Sequence, residues 1–564
     1  MTRTTQEANW WKTATIYQIY PKSFCDSGAK GTGDLQGIIA KLDYLKHLGV
    51  DAIWLTPVYQ SPMVDNGYDI SDYYAINPEF GTMADFDALL AQAHQRGIRI
   101  IMDIVVNHTS TEHAWFQSAL GDKHSPYRDY YIWKDPVDGQ APNNWQSKFG
   151  GSAWELDKPT EQYYLHLFAK EQADLNWENP QVRAEVKEII SFWAKKGVDG
   201  FRLDVINLIS KQQDFPNDEC GDGRRFYTDG PKVHTYLQEI SDAVFQQYGS
   251  VTVGEMSSTT LEHCQQYSSL DGRELSMVFN FHHLKVDYPN GEKWSHAPFD
   301  FLALKQIFNH WQTGLNGQGW GALFWCNHDQ PRIVSRLGDD RRYRVESAKM
   351  LAASIHMMQG TPYIYQGEEI GMTNPNYDSI SQYRDVESIN MYDIMVNQQG
   401  LSEQAMLAIL AQKSRDNSRT PMQWNGERNA GFSKGQPWLD IASNYQEINA
   451  EQAVADQNSV FYFYQRLIQL RKAIAVITDG DYLDLYPTHT SVFGYQRRNG
   501  NQTLICLNNY YGEETQCELP DAFELDKARY LLGNYAEYSS DCSEPVTRHQ
   551  ALRPYETRII LSEA

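Results

Sequence analysis

Short apolar runs alternate with amphipathic stretches along most of the chain. The runs are rich in β-branched and aromatic residues and are bounded by turn-forming residues, which is typical of buried strands. Between most of them apolar residues recur at helical spacing, as in residues 34–48, 83–96 and 180–196. The candidate strands are residues 16–20, 52–56, 98–106, 200–205, 251–254, 277–281, 322–326 and 363–365. This succession of strand and helix predicts a closed (β/α)8 TIM barrel, an α/β fold.

The segment from residue 108 to 174 interrupts this alternation. It follows the third candidate strand and contains many Trp, Tyr, Pro and Gly residues without a regular apolar period. A connection of that length in a compact domain is uncommon unless it has a structure of its own. We therefore predict an inserted domain over residues 108–174, lying across the mouth of a barrel formed by residues 1–107 and 175–475.

After about Lys472 the pattern changes to short strand-like runs separated by Asn, Gly and Pro. Such runs, with turn residues between them, are typical of antiparallel sheets. The runs are residues 482–485, 492–496, 504–507 and 557–561. They predict a C-terminal antiparallel β-sandwich over residues 476–564.

The charge of the chain limits its partners. Among 564 residues there are 72 acidic and 49 basic side chains, a formal net charge of −23, which argues against nucleic acid or an anionic membrane. The first residues contain no apolar signal-peptide core, and no apolar run has membrane-spanning length. Seven cysteines are scattered without metal-binding spacing, so we expect free thiols and a cytoplasmic location. We also expect no metal and no organic cofactor. The oligomeric state stays open, a monomer included.

Three acids each close one of the apolar runs: Asp204, Glu255 and Asp329. A buried carboxylate needs a partner or a use, because an unpaired buried charge is costly. For one acid alone, a structural salt bridge would be the simpler interpretation. Three acids at the carboxyl ends of successive barrel strands instead indicate an active site.

The neighbours of these acids suggest a chemistry. Arg202 and Asp204 are two positions apart in a strand and share a face, so the guanidinium should lower the pKa of Asp204 and keep it ionised as a nucleophile. A protonated Glu255 could deliver a proton to a glycosidic oxygen. Two carboxyl groups about 5 Å apart hydrolyse glycosides with retention, and a wider pair with inversion. Both geometries are compatible with the sequence.

Several segments resemble the α-amylase family of retaining α-glycosidases. The chain resembles the four signature regions of that family at DIVVNH (103–108), GFRLDV (200–205), VGE (253–255) and NHD (327–329). It resembles the α-glucosidase branch of the family at residues 10–11 with 16–21, 66–70, 366–372 and 415–424. The resemblance extends in order over nearly the whole chain. It implies a (β/α)8 barrel with an insert after strand three and a C-terminal β-domain.

The resemblance also implies roles for single residues. Asp204 corresponds to the nucleophile, Glu255 to the general acid/base, and Asp329 to a third acid that binds sugar hydroxyls. Tyr68 corresponds to a stacking platform for the non-reducing glucose. The residues implied to hold that glucose are Asp69, His108, Arg202, His328 and Arg415. For the two histidines the alternative is an ordinary structural role.

Residues 280–294, after the sixth strand, contain two histidines and two lysines in an otherwise acidic chain. A cationic cluster at a barrel rim suits an anionic substrate, although a solvated loop is the simpler alternative. Within the branch, the chain is most similar to members that act on a sugar phosphate, α,α-trehalose 6-phosphate. This implies hydrolysis to glucose and glucose 6-phosphate, with Lys285 and Lys293, and more weakly His282, binding the phosphate.

Two other functions are open at this stage. An oligo-1,6-glucosidase or related α-glucosidase would use the same acids on neutral sugars. An amylase-like accessory chain of a transporter would be expected to lack the acids and to contain a membrane span.

The loop after the first strand departs from the calcium-binding pattern of oligo-1,6-glucosidases. Gly28 and Lys30 stand where that pattern has oxygen donors. Since calcium takes about six to eight oxygen ligands, we expect no ion here, and we expect the Lys30 ammonium to lie among the remaining acids.

Overall fold

The computed structural model describes residues 9–219, 221–538, 542 and 544–563. Within them, the centre of the molecule is a sheet of eight parallel strands. In chain order these are β1 (Ile16–Ile19), β2 (Ala52–Leu55), β3 (Arg99–Ile104), β4 (Gly200–Leu203), β5 (Val251–Glu255), β6 (Met277–Phe279), β7 (Ala322–Leu323) and β8 (Thr361–Tyr365). Their hydrogen-bonded order is β6-β5-β4-β3-β2-β1-β8-β7, and a parallel bridge from Val278 to Gly321 joins the two ends. The predicted (β/α)8 barrel is confirmed.

The barrel strands are buried, because their side chains fill the barrel on one face and contact the surrounding helices on the other. Every residue of β1, β2 and β8 is buried. This double burial explains why the strands form continuous apolar runs in the sequence. β6 ends at Phe279, earlier than predicted, because the chain turns there towards the one-turn helix His282–Leu284.

Helices surround the barrel and connect its strands. In Pro180–Lys196, the Asn179 side chain accepts a hydrogen bond from the Gln181 N–H, and Gly197 ends the helix with a φ of 102°. The predicted helix over residues 34–48 is two helices that meet at Lys41. Outside the inserted segment, the α-helices up to β8 are Leu35–Ala40, Leu42–Leu48, Met83–Gln95, Pro180–Lys196, Val233–Ile240, Gln246–Tyr248, Leu261–Tyr267, Phe301–Leu315, Ile333–Leu337 and Arg344–His356. Those after β8 are Val386–Tyr392, Glu403–Lys413, Asp416–Arg419, Ala450–Ala455, Val460–Ala473 and Val476–Asp479.

The inserted segment begins and ends at one place on the barrel. His108–Ser110 pairs antiparallel with Gln172–Asp174, and His108 lies opposite Asp174. Between them lie the helix Ala114–Ala119 and a three-stranded sheet with the order Trp133–Lys134, Gln162–Leu165, Trp154–Asp157. The apolar core of the segment includes Val205 and Leu208, which follow β4. This packing holds the insert over the carboxyl ends of the barrel strands.

The C-terminal region is antiparallel, as predicted. Its main sheet has the order Asp481–Asp484, Val492–Asn499, Gln502–Asn509, Thr557–Glu563, Ala528–Gly533. A ribbon of Thr515–Glu518 and His549–Leu552 packs against that sheet around a shared apolar core. The sequence did not predict the ribbon or Ala528–Gly533, because polar residues interrupt their apolar pattern.

Two further expectations concern membranes and thiols. None of the helices in the described ranges combines the length and apolar composition of a membrane-spanning segment. The cysteines in those ranges are free, namely Cys25, Cys264, Cys326, Cys506, Cys517 and Cys542. Cys220 lies outside the described residues.

Candidate active site

A cavity of about 260 Å³ opens at the carboxyl ends of the barrel strands. Most of the predicted site residues line its wall: Tyr68, His108, Asp204, Glu255, Lys285, Lys293, Asp329 and Arg415. Arg202 and His328 contact these lining residues from beneath. Asp69 and His282 are not part of the wall.

Arg202 joins three acids at the floor of the cavity. It projects from β4 and is fully buried, and its Nη1 donates to Asp103 Oδ1 at 2.8 Å and to Asp204 Oδ1 at 2.6 Å. Its Nη2 donates to Glu255 Oε2. One guanidinium therefore holds together the ends of β3, β4 and β5. Asp103 had no predicted role. It lies near the carboxyl end of β3, as Asp204 and Glu255 do on β4 and β5.

Local backbone geometry directs Asp204 into the cavity. The residue follows β4 directly, and its N–H donates to Ile104 O on β3 at 2.9 Å. The next residue, Val205, has a φ of +37°, which is unusual for a β-branched side chain. A strained turn at this point is common at functional sites.

The two neighbouring carboxyl groups differ in proton affinity. Burial raises the pKa of Asp204 to about 7, against the opposing charge of Arg202. Arg202 lowers this pKa, as predicted, but burial outweighs a guanidinium that is shared with Asp103 and Glu255, so the net shift is upward. Burial, reinforced by the charges of Asp204 and Asp329, raises the pKa of Glu255 to about 8. As the pH falls, Glu255 therefore takes up a proton before Asp204.

Asp329 stays ionised. Burial raises its pKa, but His328, Arg415 and Arg419 outweigh that effect and lower the pKa well below its usual range. Arg419 Nη2 donates to Asp329 Oδ1 at 2.6 Å and Arg415 Nη1 donates to the same oxygen at 3.3 Å. Burial lowers the pKa of His328 to about 3, so its charge acts on Asp329 only at low pH, and at neutral pH the two arginines alone supply the positive charge.

Tyr68 lines the cavity, and His328 supports its ring from behind. The two rings stack with centroids 5.1 Å apart and an interplanar angle of 3°, and the Tyr68 hydroxyl donates to Asp103 Oδ2 at 2.9 Å. Gln18 Nε2 donates to His328 Nδ1 at 2.8 Å, so the neutral ring has its proton on Nε2, 3.3 Å from Asp329 Oδ2. His108 Nε2 donates to the Tyr68 carbonyl at 3.0 Å, and burial lowers the pKa of His108 to about 4. These contacts fix the ring planes before any substrate arrives.

The assignment of Asp69 to the sugar pocket needs correction. Its side chain is fully buried and accepts hydrogen bonds from the N–H groups of Val64 at 2.9 Å and Asp65 at 3.0 Å. Asp65 lines the cavity in its place, and its Oδ1 accepts from Arg415 Nη2 at 3.2 Å. Asp69 thus closes the turn that presents Asp65. The sequence analysis chose the wrong acid of two that lie four positions apart.

The predicted phosphate-binding residues occupy different environments. Lys285 and Lys293 line the cavity. Lys293 Nζ donates to Glu387 Oε2 at 2.6 Å, so its charge is already neutralised by a carboxylate. His282 lines a separate cavity near Trp311, and burial lowers the pKa of its ring to about 4. His282 therefore does not line the cavity of the two lysines, and its weaker role in phosphate binding stays a prediction.

The structure adds residues that the sequence analysis missed. Lys148, Phe149 and Phe168 reach the cavity from the inserted segment. Glu387 reaches it from a helix after β8. The only sequence signal for the insert residues was the predicted position of that segment over the barrel mouth, which does not identify single side chains.

The loop after β1 satisfies its acids with protein donors. Asp26 accepts from the N–H groups of Gly28 and Gly31, both at 2.8 Å. The Ser27 hydroxyl donates to Asp34 Oδ2 at 2.8 Å. Lys30 is exposed at the surface rather than placed among these acids, so that expectation is wrong. Among the described residues, no cluster of three His, Cys, Asp or Glu side chains could hold a metal ion.

Known proteins with similar sequence and structure were compared with this chain. The family model "Alpha amylase, catalytic domain" matches residues 18–480. The trehalose-6-phosphate hydrolase of Bacillus subtilis (strain 168) is 60% identical over 557 residues, 98% of each protein. The oligo-1,6-glucosidase of Halalkalibacterium halodurans is 51% identical over 98% of this chain and 99% of its own length. The crystal structure of Bacillus licheniformis trehalose-6-phosphate hydrolase matches with a TM-score of 0.93 and 58% identity over 98% of this chain and 100% of that one.

Proposed function

We propose a specific reaction for this chain, which belongs to the α-amylase family. It is a retaining α-glucosidase that hydrolyses α,α-trehalose 6-phosphate to glucose and glucose 6-phosphate. The observation that carries this proposal is the whole-length likeness to trehalose-6-phosphate hydrolases, which exceeds the likeness to the oligo-1,6-glucosidase. The cavity at the barrel mouth has acids on its floor and lysines at its rim, which suits a sugar phosphate.

The geometry of the two acids supports retention of configuration. Asp204 Oδ1 and Glu255 Oε2 accept hydrogen bonds from the two terminal nitrogens of one guanidinium, that of Arg202. An inverting enzyme needs its carboxyl groups roughly 6.5–9.5 Å apart, so that a water molecule fits between substrate and base. Two carboxyl groups bridged by one guanidinium favour the closer spacing of a retaining enzyme.

The proposed reaction has two steps. Glu255 protonates the glycosidic oxygen while Asp204 attacks the anomeric carbon, so that glucose 6-phosphate leaves and a covalent glucosyl-enzyme forms. Glu255, now a carboxylate, then takes a proton from water, and that water attacks the anomeric carbon to release glucose. The pKa order of the two acids supports these roles, because Glu255 is the one that retains its proton to higher pH.

The polar groups around the acids support a pocket for the unphosphorylated glucose. Asp329 is ionised and Arg415 is charged, so both can form charge-assisted hydrogen bonds to sugar hydroxyls. We assign Asp65 to the same task in place of Asp69. Tyr68 would stack on the sugar ring, and Arg202 would hold the acids rather than the sugar.

The phosphate would be met at the rim of the cavity. Within the described residues, the ion pairs leave Lys285 without an acidic partner, whereas Lys293 is paired with Glu387. A phosphate near Lys285 would gain a charge-assisted contact without breaking an existing pair. Lys293 would have to share its charge between the phosphate and Glu387.

An assay of the purified protein on three substrates tests the proposal. We expect the catalytic efficiency on trehalose 6-phosphate to exceed that on trehalose by about ten- to a hundredfold or more, the worth of one or two charge-assisted contacts. Raised salt should reduce this ratio, because the lysines lie at an open rim. Faster hydrolysis of isomaltose than of trehalose 6-phosphate would contradict the proposal.

The second candidate is an α-glucosidase for neutral sugars. One observation favours it: Glu387 already neutralises Lys293, which reduces the positive charge of the rim. The same assay separates the candidates, because this one predicts isomaltose as the better substrate.

We also propose a cytoplasmic location. The described cysteines are free, and most of them are buried, which is typical of proteins kept in a reducing compartment.

A further inference from the structure

We propose that Lys148, on the inserted segment, is a specificity-determining residue that binds the phosphate of the substrate and connects phosphate binding to the loop of Glu255. The inference rests on the proposed function, since it takes the phosphorylated disaccharide as the substrate. It concerns a residue outside the loop after β6, to which the sequence analysis assigned phosphate recognition.

The backbone around Lys148 is held rigidly at the cavity. The Lys148 N–H donates to Leu167 O at 2.9 Å, and the Ser147 hydroxyl donates to Phe168 O at 2.7 Å. The next residue, Phe149, lines the cavity together with Phe168. The lysine side chain therefore starts from a fixed point on the insert and extends into the cavity wall.

The ammonium of Lys148 contacts the loop that follows Glu255. Its Nζ donates to the Ser257 hydroxyl at 3.0 Å. Asn207 clamps Ser257 on both sides, since it accepts from the Ser257 N–H at 3.0 Å and donates to the Ser257 carbonyl at 3.0 Å. Ser257 is two residues from Glu255, so the position of Lys148 is coupled to the proton donor through a short, constrained piece of chain.

Lys148 has a charge without an acidic counterpart. Of the three lysines that line the cavity, Lys293 is paired with Glu387, while no described carboxylate lies within salt-bridge distance of Lys148 or Lys285. The unpaired lysines come from different segments, one from the insert and one from the loop after β6, and they lie close enough to repel each other. An anionic group bound between them would satisfy both, which a neutral sugar cannot do.

The surroundings of Lys148 make its charge conditional on pH. Burial, with repulsion from Arg224 and Lys285, lowers its pKa to about 7, against the attraction of Glu255 and Asp222. The ring of Tyr227 lies 5.6 Å from Nζ and adds no charge at neutral pH. In the free enzyme the positive charge is therefore present below about pH 7 and is lost as the pH rises above it. Phosphate esters are mostly dianions above about pH 6. The dianionic phosphate and the charged Lys148 ammonium therefore coexist only over a narrow pH range.

The test is the ratio of catalytic efficiencies on trehalose 6-phosphate and on unphosphorylated trehalose, measured from pH 6 to 9. In both substrates the leaving group is a sugar that needs a proton from Glu255, so the titration of Asp204 and Glu255 cancels in the ratio. For the native enzyme we expect the ratio to fall as the pH rises through about 7. Lys148→Arg should remove that fall, because a guanidinium stays charged throughout. Lys148→Met should lower the ratio about ten- to a hundredfold at pH 6.5, the worth of one charge-assisted contact.

Lys158→Met is the matched control, since Lys158 is an exposed lysine of the same segment outside the cavity. It should leave the ratio and its pH dependence unchanged. The inference is overturned if Lys148→Met reduces both efficiencies equally, which would indicate a structural lysine, or if it changes neither. A native enzyme that does not favour trehalose 6-phosphate would instead overturn the proposed function, so the two failures are distinguishable.

Discussion

Arg202 is the residue on which the electrostatics of the site depend. Its contacts with Asp103, Asp204 and Glu255 bring three carboxyl groups around one positive charge. One guanidinium cannot neutralise three buried acids, so the pKa of each of them is raised. The sequence indicated the pairing of Arg202 with Asp204 through their period-two spacing. It could not indicate that Asp103 and Glu255, which come from neighbouring strands, bind the same guanidinium.

Substitution of either central acid should abolish most of the activity without unfolding the protein. Glu255→Gln should lower turnover about 10²- to 10⁴-fold, because the leaving oxygen loses its proton donor. Asp204→Asn should lower it at least as much, because no covalent intermediate can form. Kinetics on trehalose 6-phosphate, with thermal unfolding as the control for folding, check this expectation.

Azide provides a stereochemical check of the same assignment. Azide should partly restore activity to Glu255→Ala, since it attacks the glucosyl-enzyme without needing a base, and the glucosyl azide should have the α configuration. A β-configured azide, or near-normal turnover in Asp204→Asn, would contradict the assignment of the nucleophile.

Asp65 and Asp69 show where sequence reasoning reached its limit. Between them, Asn66 and Gly67 have φ values of +49° and +103°, so the chain reverses direction within four residues. The motif predicts such a turn, but it does not predict which of the flanking acids points into the cavity. That choice depends on Arg415, which binds Asp65 and lies 350 positions further along the chain.

The two aspartates should respond differently to substitution. Asp65→Asn should lower catalytic efficiency about ten- to a hundredfold with little change in thermal stability, because it removes a charged contact in the pocket. Asp69→Ala should lower the melting temperature, because the N–H groups of Val64 and Asp65 lose their acceptor, at a cost of about 1–3 kcal/mol for the buried one, that of Asp65. The reverse pattern of activity and stability would show that Asp69 is the residue that binds sugar.

Among the structural elements, the loop after β1 differs most clearly from the calcium-binding pattern that the resemblance to oligo-1,6-glucosidases would imply. Its acids bond to backbone N–H groups and serine hydroxyls, so no oxygen cage is needed to keep them stable. We expect EDTA to leave both the melting temperature and the activity unchanged. A melting temperature that drops with EDTA and recovers specifically with calcium would contradict this.

The same loop offers a converse experiment. A side chain at Gly28 would find space, since its Cβ would meet only Asp26 Oδ1, at 3.6 Å. Gly28→Asn combined with Lys30→Asp should therefore fold normally and gain a calcium-dependent rise in melting temperature. A variant that folds but shows no response to calcium would mean that the remaining oxygens are misplaced.

The regular elements were predictable to the extent that burial dictated their composition. β1, β2 and β8 are buried along their whole length, and their apolar runs marked them clearly. β7 is only Ala322–Leu323, and the apolar residues that follow it, Phe324 to Cys326, are buried without extending the strand. Apolar composition reports burial, and it cannot distinguish a strand from a buried loop.

At the scale of the whole molecule, the fold was predictable and the contacts across it were not. Strand order followed from the repeated units, because parallel strands joined by helices close in only a few ways. The contribution of the insert to the cavity depends on packing between distant segments, as for Lys148 and Ser257, 109 positions apart. The local sequence pattern around each residue does not predict contacts between such distant pairs. The chain is strongly acidic, yet two lysines without a described acidic partner, Lys148 and Lys285, line the cavity; the sequence predicted Lys285 there but not Lys148.

The central claim is that the unphosphorylated glucose occupies the pocket of Asp204 and leaves with retained configuration. The most direct test is hydrolysis of α,α-trehalose 6-phosphate in H₂¹⁸O, analysed within the first minute by NMR and mass spectrometry. We expect ¹⁸O at the anomeric carbon of glucose, initial release of the α anomer, and unlabelled glucose 6-phosphate. Initial β-glucose would show inversion, and ¹⁸O in glucose 6-phosphate would show that the phosphorylated ring occupies the pocket; either result would contradict the account.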